Sequence, residues 1–133
     1  MEMSSALIEN VQKYIIIKDV YLANAKKMID EGELRKASEF FWGACIQTIF
    51  SLASIKENIP NGHAAVRQYI IELGKEINDP DISKSFSDLE KLHANFYHGM
   101  ITKEDFPRYQ EEAINFIDKI QNLLTTGMKS EIL

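Results

Sequence analysis

Apolar residues along this chain recur at every third or fourth position in five stretches, and glycine or proline separates the stretches. That spacing predicts five amphipathic helices. The first covers about residues 4–30 on the stripe Ile8, Val11, Ile15, Leu22, Ala25 and Ile29, and Gly32 ends it. The second covers about residues 33–57. Leu34, Ala37, Phe41, Ala44, Cys45, Thr48, Leu52 and Ile55 form one face, and Phe40, Trp42, Ile46, Ile49 and Phe50 add apolar groups on others. A helix that is apolar most of the way round is buried on several sides. This one is expected at the centre of a bundle or at a contact between subunits, with Trp42, Phe41, Ile46 and Ile49 in the core or the dimer contact.

After the joint Asn58-Ile59-Pro60-Asn61-Gly62, a third helix over about 63–77 carries Val66, Ile70, Leu73 and Ile77. Asp79-Pro80 reads as a cap followed by proline in the first turn of a fourth helix, over about 80–98, on Ile82, Phe86, Leu89, His93 and Phe96. Gly99 stops it. Thr102, with Asp105 three residues on, caps a fifth helix over about 103–125 on Phe106, Ala113, Phe116, Ile120 and Leu124. Residues after about 126 are expected to fray. No strand alternation competes, and the joints are short, so consecutive helices should be antiparallel neighbours. The reading is an all-α, antiparallel four- to five-helix bundle, with residues 1–133 as a single domain.

Composition narrows the class. At 133 residues, 45% hydrophobic and 26% charged, the chain suits one hydrophobic core. No stretch approaches the roughly 20 apolar residues that cross a bilayer, so no membrane partner is expected. The opening Met1-Glu2-Met3-Ser4-Ser5 lacks the charged and apolar regions of an export signal, which makes the cytoplasm the expected location. The single cysteine, Cys45, lies among apolar residues and reads as a buried, inert thiol. A net charge of −5 without a basic run disfavours non-specific binding to phosphate backbones, so RNA is not indicated by charge.

Candidate chemistry concentrates in His93-Ala94-Asn95-Phe96-Tyr97-His98. His93 shares a stripe with Leu89 and Phe96 and should be largely buried. Asn95 and His98, three apart, should lie together on the other side, accessible beside Tyr97. Glu90-x-x-His93 is half of a carboxylate-bridged di-metal pattern whose second half is missing, so neither a metal nor a cofactor is expected. His63 and Arg67, one turn apart at the start of the third helix, could bind an anion, although a helix-start histidine beside an unrelated surface arginine is the plainer reading.

Three segments carry a family resemblance. Glu33-Leu34-Arg35-Lys36-Ala37-Ser38-Glu39-Phe40-Phe41-Trp42-Gly43-Ala44 is similar to the long second helix of the archaeal PaREP-type proteins. Gly62-His63 and Leu92-His93-Ala94-Asn95-Phe96-Tyr97 match that family in order and spacing. The resemblance implies a helical bundle of the HEPN superfamily. Many members of that superfamily are RNases, and others are non-catalytic domains, often beside a minimal nucleotidyltransferase in toxin–antitoxin pairs. Active members carry arginine four to six residues before histidine, with two copies meeting across a dimer. Histidine there shuttles the 2′-hydroxyl proton, and arginine stabilises charge on the phosphate. In this chain His93, not arginine, stands five residues before His98. Histidine lacks arginine's permanent charge and bidentate fork. The expected function is therefore a non-enzymatic, homodimeric or partner-binding HEPN-like module. The alternative is a metal-independent RNase built across a dimer from His93, Asn95 and His98. On either reading the binding candidates are Asn95, Tyr97, His98, His63 and Arg67.

Overall fold

A computed structural model describes residues 3–132, with side chains described for residues 3–128. The described residues form five helices: α1 (Ser5–Asp30), α2 (Leu34–Ala53), α3 (His63–Glu76), α4 (Asp81–His98) and α5 (Phe106–Ile132). A single 3₁₀ turn, Ser54–Lys56, follows α2. The described residues include no strand, and no helix among them is long and apolar enough to cross a membrane.

Ser4 caps α1, its hydroxyl accepting from the Leu7 amide at 3.1 Å. Gly32, at φ 75°, reverses the chain into α2. The two helices run antiparallel, with Tyr14 edge-on to Phe50 and Tyr21 against Phe40. Gly43 permits the close approach. A Cβ there would sit 2.9 Å from the Tyr21 ring, too near for any side chain without movement. Helix α2 touches α1, α4 and α5 and is the central helix. Phe41, Trp42 and Ile49 are buried in the bundle, and Ile46 is half-buried.

Paired contacts fix the remaining directions. Glu39 meets His93 and Trp42 meets Phe86, so α4 runs against α2. Phe86 faces Phe116 and Asp79, just before α4, pairs with Lys119, so α5 runs back along α4. Arg67 reaches Glu90 and Gly74 abuts Ile82, so α3 is antiparallel to α4.

The structure moves three boundaries. Helix α2 ends at Ala53, where the last turn tightens to 3₁₀ before Glu57 turns left-handed at φ 54°. Thr102 does accept from the Asp105 amide at 3.1 Å, but residues 103–105 form a turn and α5 begins at Phe106. At its other end α5 continues past 126 to Ile132. The cause is a second apolar cluster, in which Leu124 and Met128 pack with Met3, Val11 and Ile55.

Candidate functional site

Four residues of α2, Arg35, Ser38, Glu39 and Trp42, fall on one helical face by their three- and four-residue spacing. That face meets the last turns of α4, so two of the motif segments are in contact.

Asn95 is the centre of that contact. It is 1% exposed. Its Nδ2 donates to Ser38 Oγ at 2.9 Å, and its Oδ1 accepts from the Ile101 amide at 2.7 Å. Ser38 passes the chain on to the Leu34 carbonyl at 2.9 Å. One side chain thus ties α4 both to α2 and to the turn that leads into α5. This overturns the accessible position expected for Asn95. Leu89, Leu92 and Asn95, three apart, form the buried line of α4, and Asn95 points inward with them.

Arg35 closes the end of α4. Its Nε donates to the Asn95 and Phe96 carbonyls at 3.3 and 3.2 Å, and its Nη2 to those of Phe96 and Tyr97 at 2.9 and 2.7 Å. These carbonyls have no partner within the helix, and a cation is favoured there by the helix dipole. Gly99, left-handed at φ 63°, donates to the Asn95 carbonyl at 2.9 Å and completes the cap.

One turn earlier, the His93 ring stacks on Trp42 with centroids 5.5 Å apart, and its Nδ1 pairs with Glu39 at 2.9 Å. His93 is half-exposed, not buried in the core as its stripe suggested. Its phase is displaced by Leu92 and Asn95, and its charged partner sits at the rim. His63, from the first turn of α3, stacks on the same Trp42 at 5.5 Å and lies 6.3 Å from the His93 ring. His63 Nε2 pairs with Glu90, which also accepts from Arg67 Nη2 at 2.6 Å. Burial pushes the Glu90 carboxyl up, but hydrogen bonds from Arg67 and His63 outweigh it and hold it below the usual range. The plainer reading of His63 and Arg67 as unrelated is therefore corrected, since one carboxylate joins them. Two imidazoles share a tryptophan floor, each with one nitrogen on a carboxylate. His93 Nε2 and His63 Nδ1 have no partner among the described residues.

His98 stands apart. It is exposed and tilted against Tyr97, whose ring lies between it and His93. Tyr97 is 60% exposed and Met100 57%, so the tip after α4 presents an aromatic ring, a thioether and an imidazole to solvent. The arginine near His98 is Arg35, acting on the carbonyl of the preceding residue, and Arg67 is committed to Glu90. The side chains not foreseen as site members are Arg35, Ser38, Glu39 and Glu90. A signal was present in the 35/38/39/42 face, whose polar members line up with Trp42. Cys45 is wholly buried, and burial raises its thiol far above the ordinary value, as expected of an inert thiol. No group of three or more His, Cys, Asp or Glu among the described residues could hold a metal ion.

The family described as the Archaeal PaREP1/PaREP8 family matches the chain over residues 13–117. No curated protein and no solved structure matches it.

Proposed function

The chain belongs to the archaeal PaREP1/PaREP8 family, and from that premise we propose that it is a HEPN-like helical binding module, working as a homodimer or on a protein partner. One observation carries this reading. Asn95, which the alternative catalytic set joins to His93 and His98, is engaged in architecture, and so are the backbone carbonyls that end α4. Asn95 is consumed by Ser38 and Ile101, and the helix-end carbonyls by Arg35. That architecture displays Tyr97, His98 and Met100. Aromatic and methionine side chains on a rigid support are typical of interface centres, where a few of them dominate affinity. The partner class that the family resemblance suggests is a minimal nucleotidyltransferase.

The test is a pull-down from the native cell, with light scattering of the purified chain at roughly tens of micromolar, a modest strength for a dimer. Tyr97→Ala should weaken the partner or the dimer while leaving the melting midpoint in place. A strictly monomeric chain whose captured proteins are indifferent to Tyr97→Ala would sink the reading.

A second reading, the metal-independent endoribonuclease, has its own support. The His63/His93 pair has the makings of a general acid and base, each imidazole oriented by a carboxylate. On this reading the pair shifts from His93/His98 to His63/His93. Cleavage of single-stranded RNA in EDTA, abolished by His63→Ala and by His93→Ala but not by His98→Ala, would favour it over the binding module. RNA left intact by the wild-type chain removes it.

A further inference from the structure

On the far flank of α3 lies a cleft of about 490 Å³, walled by the end of α2 and its 3₁₀ turn, by α3 and by the second half of α5. It arises because α3 leans on α4, where Val66 and Ile70 are buried, and stands off from α5. Leu52, Leu73, Ile77 and Leu123 give it apolar walls. Glu72 and Glu76, one turn apart on α3, line it with carboxylates, and Lys56 is the cation among its lining residues. Gln68 occupies one oxygen of Glu72 at 3.2 Å. Tyr69 also lines the cleft. Its phenol is pushed up to about 12, first by burial and then by Glu76, as fits a ring packed into the cleft wall. The volume lies within the usual range of small-molecule sites, and apolar walls with few polar groups are their usual lining.

We propose that this cleft binds a small amphiphilic cation, an alkyl- or arylamine whose apolar body lies on Leu73, Ile77 and Leu123 and whose ammonium faces Glu72 and Glu76. Two carboxylates against one lysine disfavour a carboxylate or phosphate ligand of the same shape. The walls also suit a chain of several methylenes better than a polar metabolite. This site is separate from the α2–α4 face and does not depend on either functional reading.

The experiment titrates the full chain with octylammonium and, separately, with octyl sulfate, which has the same tail and the opposite charge, following backbone amide shifts and heat. Octylammonium should bind saturably with shifts centred on Leu73, Ile77 and Leu123. It should bind about two- to five-fold tighter than octyl sulfate, the scale of a partly exposed charge pair. The double variant Glu72→Gln/Glu76→Gln should erase that preference. Leu123→Trp, which fills the cleft, should abolish binding, and Thr126→Phe provides a second blocked variant should the first not fold. Equal affinity for both amphiphiles, non-saturating shifts across the surface, or a preference that survives the double variant would each overturn the proposal. So would a dimer in light scattering that Leu123→Trp or Thr126→Phe dissociates, because the cleft would then hold a second copy of the chain.

Discussion

The two flanks of α3 are built on opposite plans. On one, where α2, α3 and α4 meet, almost every polar side chain has a named partner. Asn95, Ser38, Arg35, Glu39, Glu90 and Arg67 form hydrogen bonds that cross 23 to 62 residues of sequence. On the other, α3 and α5 leave an apolar cleft whose carboxylates have at most a neighbour on their own helix. The segments resembling a known family lie on the first flank and not the second. A recognisable motif here reports a joint that holds three helices in register, because buried polar groups demand specific partners in a way that apolar walls do not. The less motif-rich flank has the roomier cleft, about 490 Å³ against about 210 Å³ beside Trp42 and His63.

Substitutions should expose that contrast, beginning with the largest effect. Trp42→Ala removes the ring on which His63, His93 and Phe86 all rest, and should lower stability by about 3–5 kcal/mol in denaturant unfolding. Asn95→Ala strands the Ile101 amide and takes from Ser38 Oγ its donor, leaving that hydroxyl only the Leu34 carbonyl, and should cost about 2–3 kcal/mol. Arg35→Ala uncovers the Phe96 and Tyr97 carbonyls, while that of Asn95 keeps the Gly99 amide, and should cost about 1–2 kcal/mol, only partly restored by Arg35→Lys, because lysine lacks the planar fork. In the cleft, Glu76→Gln should change stability by no more than about 0.5 kcal/mol. If Asn95→Ala proves as mild as Glu76→Gln, the first flank is not the joint described.

The helices were legible in the sequence because burial imposes a period, and glycine and proline marked their ends. Being apolar on several faces, helix α2 is expected at the centre of the bundle or at a subunit contact, and it lies at the centre. The phase of α4 was less legible. From Leu89 a period of 3.6 passes between 92 and 93 and then close to 96, so spacing alone does not favour Leu92/Asn95 over His93/Phe96 for the buried line. The structure selects Leu92 and Asn95, because Ser38 offers Asn95 a partner 57 residues away and Glu39 offers His93 one at the rim. Local spacing carries no information about such a partner. The same holds for Arg35, whose targets are backbone carbonyls and so leave no mark in residue identity. The end of α5 was missed because its support, Met3 and Val11, comes from the other end of the chain.

The smallest effect sharpens the comparison through pH. Glu90, on the joint, is held below its ordinary value of 4.5. The stability it contributes is present above that value and lost as pH falls through the lower, folded one. Glu90→Gln should therefore make the acid limb of the stability curve shallower. Tyr69, on the cleft, works in the opposite direction at the other end. Its phenol ionises near 10.0 when unfolded and at about 12 when folded. Between those values the folded state holds the proton more often than the unfolded state, so stability falls as pH rises. Tyr69→Phe should flatten the decline between pH 10 and about 12 and leave the acid limb alone, whereas Glu90→Gln should do the reverse. The measurement is the denaturant midpoint of both variants and the wild type across pH. An alkaline decline as steep in Tyr69→Phe as in wild type would mean that the ring is solvated and does not pack into the wall of the cleft.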